Sequence, residues 1–105
     1  MNEPLFYPYY GFLGREPEFE LGVTVMTRGV KEILSKDTSF IVEIDDCFEK
    51  FIHRDMGFMS SKPGKLCAIK KGQEIMGAYK TSKESLYIVT SHDRAATIIM
   101  LFEDR

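Results

Sequence analysis

The reading of this chain turns on the stretch Leu86-Tyr87-Ile88-Val89-Thr90-Ser91-His92-Asp93-Arg94-Ala95-Ala96-Thr97-Ile98-Ile99-Met100-Leu101-Phe102. Leu86–Thr90 and Thr97–Phe102 are rich in β-branched and aromatic side chains and too short for stable helices. Between them, residues 91–96 are the small and polar residues of a turn. The pair reads as two antiparallel strands. Upstream, Glu74–Lys80 alternates, with Ile75, Gly77 and Tyr79 against Met76, Ala78 and Lys80. Thr81-Ser82-Lys83-Glu84 joins it to Leu86 with a polar connection of hairpin length. Three consecutive strands make an antiparallel meander.

Helices precede the meander. Phe40, Ile41, Ile44, Cys47, Phe48, Phe51 and Ile52 recur at the spacing of one helical face, with Thr38 or Ser39 at its start and Gly57 beyond its end. Its other face carries Glu43, Asp45, Asp46, Glu49 and Lys50. Arg28–Lys36 reads as a shorter helix capped by Thr27, with Val30, Ile33 and Leu34 on one side. Before it, Glu20–Met26 alternates as a half-buried strand, with Leu21, Val23 and Val25 on one side and Glu20, Gly22, Thr24 and Met26 on the other. Ser60–Gly64 is a loop, and Lys65–Lys71 has the length of one short basic helix ended by Gly72.

The expectation is an α+β fold, a small antiparallel sheet of about four strands in the order β–α–α–(α)–β–β–β, with helices packed on one face. Residues 20–105 form this single domain. Residues 1–19 form an irregular aromatic arm, where Pro4, Pro8 and Pro17 prevent a long helix among Tyr7, Tyr9, Tyr10 and Phe12. The last strand is apolar on both faces. Helices on one side leave a second sheet face that must be covered by the arm, by a second copy in a homodimer, or by a partner.

The 105 residues suffice for one domain and exclude large enzyme folds. Fourteen basic and sixteen acidic residues give a net charge of −2, without the basic excess of a dedicated nucleic-acid binder. No signal peptide is legible, and the longest apolar run, Ile98–Phe102, is far short of a membrane span. A cytoplasmic protein is expected, with Cys47 and Cys67 as buried free thiols.

Two triplets carry the residue types of acid–base or metal chemistry, His53-Arg54-Asp55 and His92-Asp93-Arg94. If the fold united them, His53, Asp55, His92 and Asp93 would serve a small enzyme. The plainer reading puts His53 and Arg54 at a helix C-terminus, where cations offset the dipole, and Asp93 in a turn bonding backbone N–H groups. Two histidines leave few nitrogen ligands for a metal, and neither a metal nor a cofactor is expected. His53-Arg54-Asp55 lacks the downstream Asn of a kinase loop, and Gly64-Lys65 lacks the spacing of a phosphate-binding loop. Lys62, Lys65, Lys70 and Lys71 form a local basic patch suited to weak nucleic-acid binding. The expected protein contacts are Tyr7, Tyr9, Tyr10 and Phe12 of the arm, Asp45, Asp46 and Glu49 of the acidic helix face, and His92, Asp93 and Arg94 of the turn.

Tyr79-Lys80-Thr81-Ser82 and the run from Leu86 through Leu101 resemble a group of small uncharacterised proteins of plasmids, phages and other mobile elements. In that group the corresponding stretch runs S-A-Y-x-T, then I-W-I-I-T-E-A-D-R-S-A-T-T-I-L-L-P. Thr27-Arg28-Gly29 matches the group's T-x-G before the first helix, and Arg54-Asp55-Met56-Gly57 matches its G-D-W-G, with Met56 in place of Trp. Phe102-Glu103-Asp104-Arg105 replaces the group's proline-containing tail. The resemblance covers residues 21–102. The group brings no activity of its own; it implies the genomic context of accessory genes of mobile elements, some of which block host defence systems. The function expected from the whole reading is that of a non-catalytic protein that binds a host or phage protein and inhibits or modulates a nucleic-acid-handling or defence complex such as a CRISPR or restriction system.

Overall fold

The fold was analysed in a computed structural model that describes residues 6–9, 19–57 and 72–104. The expected loop over Ser60–Gly64, the expected short helix over Lys65–Lys71, the basic patch, Tyr10, Phe12 and Cys67 lie outside these residues. The elements are β1 (Phe6–Pro8), β2 (Val23–Thr27), α1 (Arg28–Lys36), α2 (Phe40–Ile52), β3 (Ile75–Tyr79), β4 (Leu86–Thr90) and β5 (Ala96–Leu101), followed by a 3₁₀ turn at Phe102–Asp104.

The meander forms as its alternation dictates. Ile75 pairs with Thr90 and Tyr79 with Leu86 across β3 and β4, and Leu86 pairs with Leu101 across β4 and β5. The complete sheet is five-stranded in the order β1-β2-β5-β4-β3. It is mixed, because β2 lies parallel to β5, with Met26 opposite Ile99. The expected α+β fold with about four strands is roughly met by these five, and the expectation of a purely antiparallel sheet is corrected by the parallel β2–β5 pair. The aromatic arm is not wholly irregular: β1 pairs antiparallel with β2, and the Tyr9 N–H continues the ladder to the Thr24 carbonyl at 3.1 Å. That bond places Pro8 at a position whose nitrogen faces away from β2, so proline costs the ladder nothing.

Register also decides which face of β2 turns inward. Ile99 and Leu101 of β5 face the helices, so Met26 opposite Ile99 faces them too and is buried. Val23 and Val25 turn to the other side, and Val23 is 67% exposed. Alternation alone supplies the period of a strand but not its phase, and Met26 could be read on either side.

One core lies between the helices and this sheet face. Phe40, Ile44, Cys47, Phe48, Phe51 and Ile52 of α2 and Val30 of α1 meet Met26, Ile75, Tyr79, Leu86, Ile88, Ile99 and Leu101. Each fully buried large side chain contributes about 1.5–3 kcal/mol relative to exposure. The start of α2 is set by Asp37, whose carboxylate accepts the Ser39 N–H at 3.1 Å and whose carbonyl accepts that of Phe40. Thr27 stands at the N-cap of α1 but makes no side-chain cap; its hydroxyl donates to Asp104 Oδ2 at 2.6 Å instead.

The second face is apolar, as its residues require. Tyr87 and Val89 of β4 are buried there, Val25, Ile98 and Met100 are half-buried, and Phe6 remains 48% exposed. Phe102, 65% exposed, meets the edge of the Tyr87 ring at 5.6 Å. Cover is thus complete over β4 and incomplete over β5, β2 and β1.

Candidate functional site

The antiparallel register of β1 sends Tyr7 and Tyr9 toward the helix layer and Phe6 and Pro8 to the opposite face. Tyr9 is buried against Phe48, with ring centroids 5.0 Å apart, and its hydroxyl donates to Asp45 of α2. Tyr7 stays half-buried, and Lys31 Nζ of α1 stands 5.8 Å from its ring centroid, within cation–π range. Between β1 and the two helices runs a groove of about 920 Å³. Tyr7, Pro8, Tyr9, Met26, Leu34 and Ile41 give it apolar walls, and Lys31, Ser35, Thr38 and Asp45 supply polar ones. Few, placed polar groups on an apolar concave surface are the usual make-up of a recognition site.

Three expected contact residues therefore converge: Tyr7, Tyr9 and Asp45. Asp46 and Glu49 lie on the same helix. Asp46 is exposed and pairs with Lys50 at 3.3 Å, one turn along. Glu43 serves the fold, accepting the Ser82 N–H at 2.7 Å and so tying the β3–β4 connection to α2. These bonds from Ser82 hold the Glu43 carboxyl below its ordinary value.

The second triplet is built into the β4–β5 turn. Asp93 Oδ1 accepts the Ser91 hydroxyl at 2.7 Å and the Ala95 N–H at 3.0 Å, and these bonds lower its carboxyl pKa. Arg94 folds back so that Nη1 donates to the Gln73 carbonyl at 2.6 Å and the Ser91 carbonyl at 3.0 Å. His92 is exposed. The first triplet closes α2 instead. The His53 N–H bonds the Lys50 carbonyl at 3.2 Å, and Asp55 Oδ1 accepts the Gly57 N–H at 3.1 Å. Each triplet thus has local work of its own, and neither lines the groove beside β1. Among the described residues, no three His, Cys, Asp or Glu side chains gather to hold a metal ion. No described helix is long and apolar enough to cross a membrane.

Sequence reasoning missed Lys31, Leu34, Thr38 and Ile41 as groove residues. The signal was present in part: Leu34 and Ile41 were legible as helix-face apolar residues. Their placement beside Tyr7 required the β1–β2 pairing, which has no local signature.

Burial pushes the Cys47 thiol up to about 11, which removes it as a nucleophile near neutral pH. No family model matches the chain, and no curated protein or solved structure shows significant similarity to it.

Proposed function

We propose that this chain is a non-catalytic protein-binding protein, an accessory of a mobile element that occupies a surface of a host or phage protein engaged in nucleic-acid handling or defence. The observation that supports the binding role is the convergence of Tyr7, Tyr9 and Asp45 on one groove. Tyrosine supplies a large, stiff contact surface at low entropic cost, which suits a recognition surface. A partner side chain of apolar character would enter between Tyr7 and Ile41, and its flanking polar groups would meet Lys31 and Asp45. The mobile-element setting comes from the resemblance of the final hairpin.

The test uses Tyr7→Ala and Lys31→Glu, two changes outside the buried core. Tagged wild-type chain and both variants are presented to host lysate, and retained proteins are identified by mass spectrometry. The expected result is a protein retained by the wild type and lost from both variants, whose circular dichroism is unchanged. Equal retention by all three chains would refute the groove as the binding surface.

A further inference from the structure

We propose that β1 is a strap and that Asp45 is the positioning residue that fastens it, so that the groove beside β1 exists only while this fastening holds. The inference rests on the groove being the binding surface, and it adds how that surface is assembled and released.

β1 is three residues long and stands at one end of the five-stranded sheet. Its Phe6 and Pro8, turned away from the helices, are both exposed. A short segment with few buried side chains opens locally, at less free energy than the whole fold requires. What docks β1 is concentrated in Tyr9. The Tyr9 ring is 7% exposed and lies against Phe48, and its N–H bonds the Thr24 carbonyl at 3.1 Å. Its hydroxyl donates to Asp45 Oδ1. One residue thus joins the strand to β2 through the backbone and to α2 through the side chain. Asp46, the neighbour of Asp45 in sequence, instead pairs with Lys50 on the exposed side of α2.

This fastening builds the site. β1 supplies Tyr7, Pro8 and Tyr9 to the groove, facing Lys31 of α1 and Ile41 and Asp45 of α2. Strand alternation puts Tyr7 on the same face as Tyr9, two residues away, so the position of Tyr9 sets that of Tyr7 against α1. The contact of Lys31 Nζ with the Tyr7 ring, at 5.8 Å and on an exposed lysine, is a weak hold by itself. The bond from Tyr9 to an ionised carboxylate is the stronger one, because a charged acceptor strengthens a hydrogen bond. When Tyr9 leaves Asp45, one wall of the groove leaves with it, and the concave site becomes the open surface of the two helices. Closed and open strap are two states of one element, and whatever weakens the Tyr9–Asp45 bond shifts the balance toward the open one.

Hydrogen exchange of the Tyr9 amide, read by NMR on the intact chain, tests the proposal. It needs no partner, so it stands or fails apart from the lysate experiment. In the wild type the Tyr9 amide should be protected, yet less so than the Ile88 amide of the central strand β4 by at least about a hundredfold, as local opening requires. Tyr9→Phe keeps the ring and removes the donor. Asp45→Ala removes the acceptor at a helix position that alanine suits. Each is expected to speed Tyr9 exchange by at least about tenfold, the effect of losing a hydrogen bond to a charged group. Asp45→Asn, which keeps an oxygen acceptor, should lie between the wild type and Asp45→Ala. Equal protection of Tyr9 and Ile88 in the wild type overturns the proposal, because β1 would then open only with the whole fold. So does a Tyr9 amide whose exchange is unchanged by both Tyr9→Phe and Asp45→Ala.

Discussion

Arg94 holds a left-handed backbone, with φ of 60°. A non-glycine residue there is strained by roughly 1–2 kcal/mol, and the guanidinium offsets this by bonding the Gln73 and Ser91 carbonyls. The two effects separate by substitution. Arg94→Ala keeps the strain and loses the bonds; Arg94→Gly loses both. Urea denaturation should find the glycine variant more stable than the alanine variant by about 1 kcal/mol. Equal stabilities would mean that the turn relaxes out of the left-handed region when the clamp is removed. Cys47 gives a second prediction. Buried and with its pKa raised to about 11, it should resist iodoacetamide at pH 8 in the folded chain and react in urea, as read by mass spectrometry of its peptide. Rapid alkylation of the native chain would show that α2 opens readily. At this scale the sequence was partly legible. Asp93 was readable as a turn residue because short carboxylates bond the backbone two residues on. The Tyr9–Asp45 bond was not, because it joins groups from distant segments.

Thr90 and Thr97, both fully buried, join two neighbouring strands through their side chains. Their hydroxyls lie 2.7 Å apart, and Thr97 Oγ1 donates to the Leu21 carbonyl at 2.7 Å. With its proton committed to Leu21, Thr97 accepts from Thr90, so a short relay runs from β4 through β5 to the residues leading into β2. Thr97→Val breaks it in the middle and strands a hydroxyl and a carbonyl. The expected loss is about 1–3 kcal/mol in chemical denaturation. Thr97→Ser keeps the donor and should cost about 1 kcal/mol for its lost methyl. A valine variant as stable as the serine variant would remove the relay from the account. The helices and the meander were readable from their periods because each is local. Both helices begin and end where their apolar spacing places them, at Arg28–Lys36 and Phe40–Ile52. The parallel β2–β5 pairing was not readable. Its residues are separated by both helices and by β3 and β4, and nothing within Val23–Thr27 marks a parallel neighbour.

At the scale of the whole molecule, three surface carboxylates among the described residues have lowered pKa values and contribute to the acid response. Asp37 is lowered chiefly by the Ser39 hydroxyl and then by Lys83, Glu43 by Ser82, and Asp93 by Ser91 and the Ala95 N–H. A carboxyl whose folded pKa lies below its unfolded one stabilises fully above the unfolded value and loses that contribution as pH falls through the folded one. The ordinary values here are 3.8 for the aspartates and 4.5 for the glutamate. Thermal stability should therefore hold down to these values and fall below them. The combination Asp37→Asn, Glu43→Gln and Asp93→Asn should flatten that decline in melting temperature; an unaltered acid limb would assign the effect to other groups. The position of β5 has a separate consequence for assembly during synthesis. It is the last strand in chain order, yet it sits in the middle of the sheet, between β2 and β4. A nascent chain can pair β1 with β2, and β3 with β4, but these remain two separate pieces with a gap between them. Only β5 bridges the gap, so its loss would split the sheet rather than trim its border. Until it emerges, both pieces carry an unsatisfied inner edge, and this is the stage at which the chain most needs protection from aggregation.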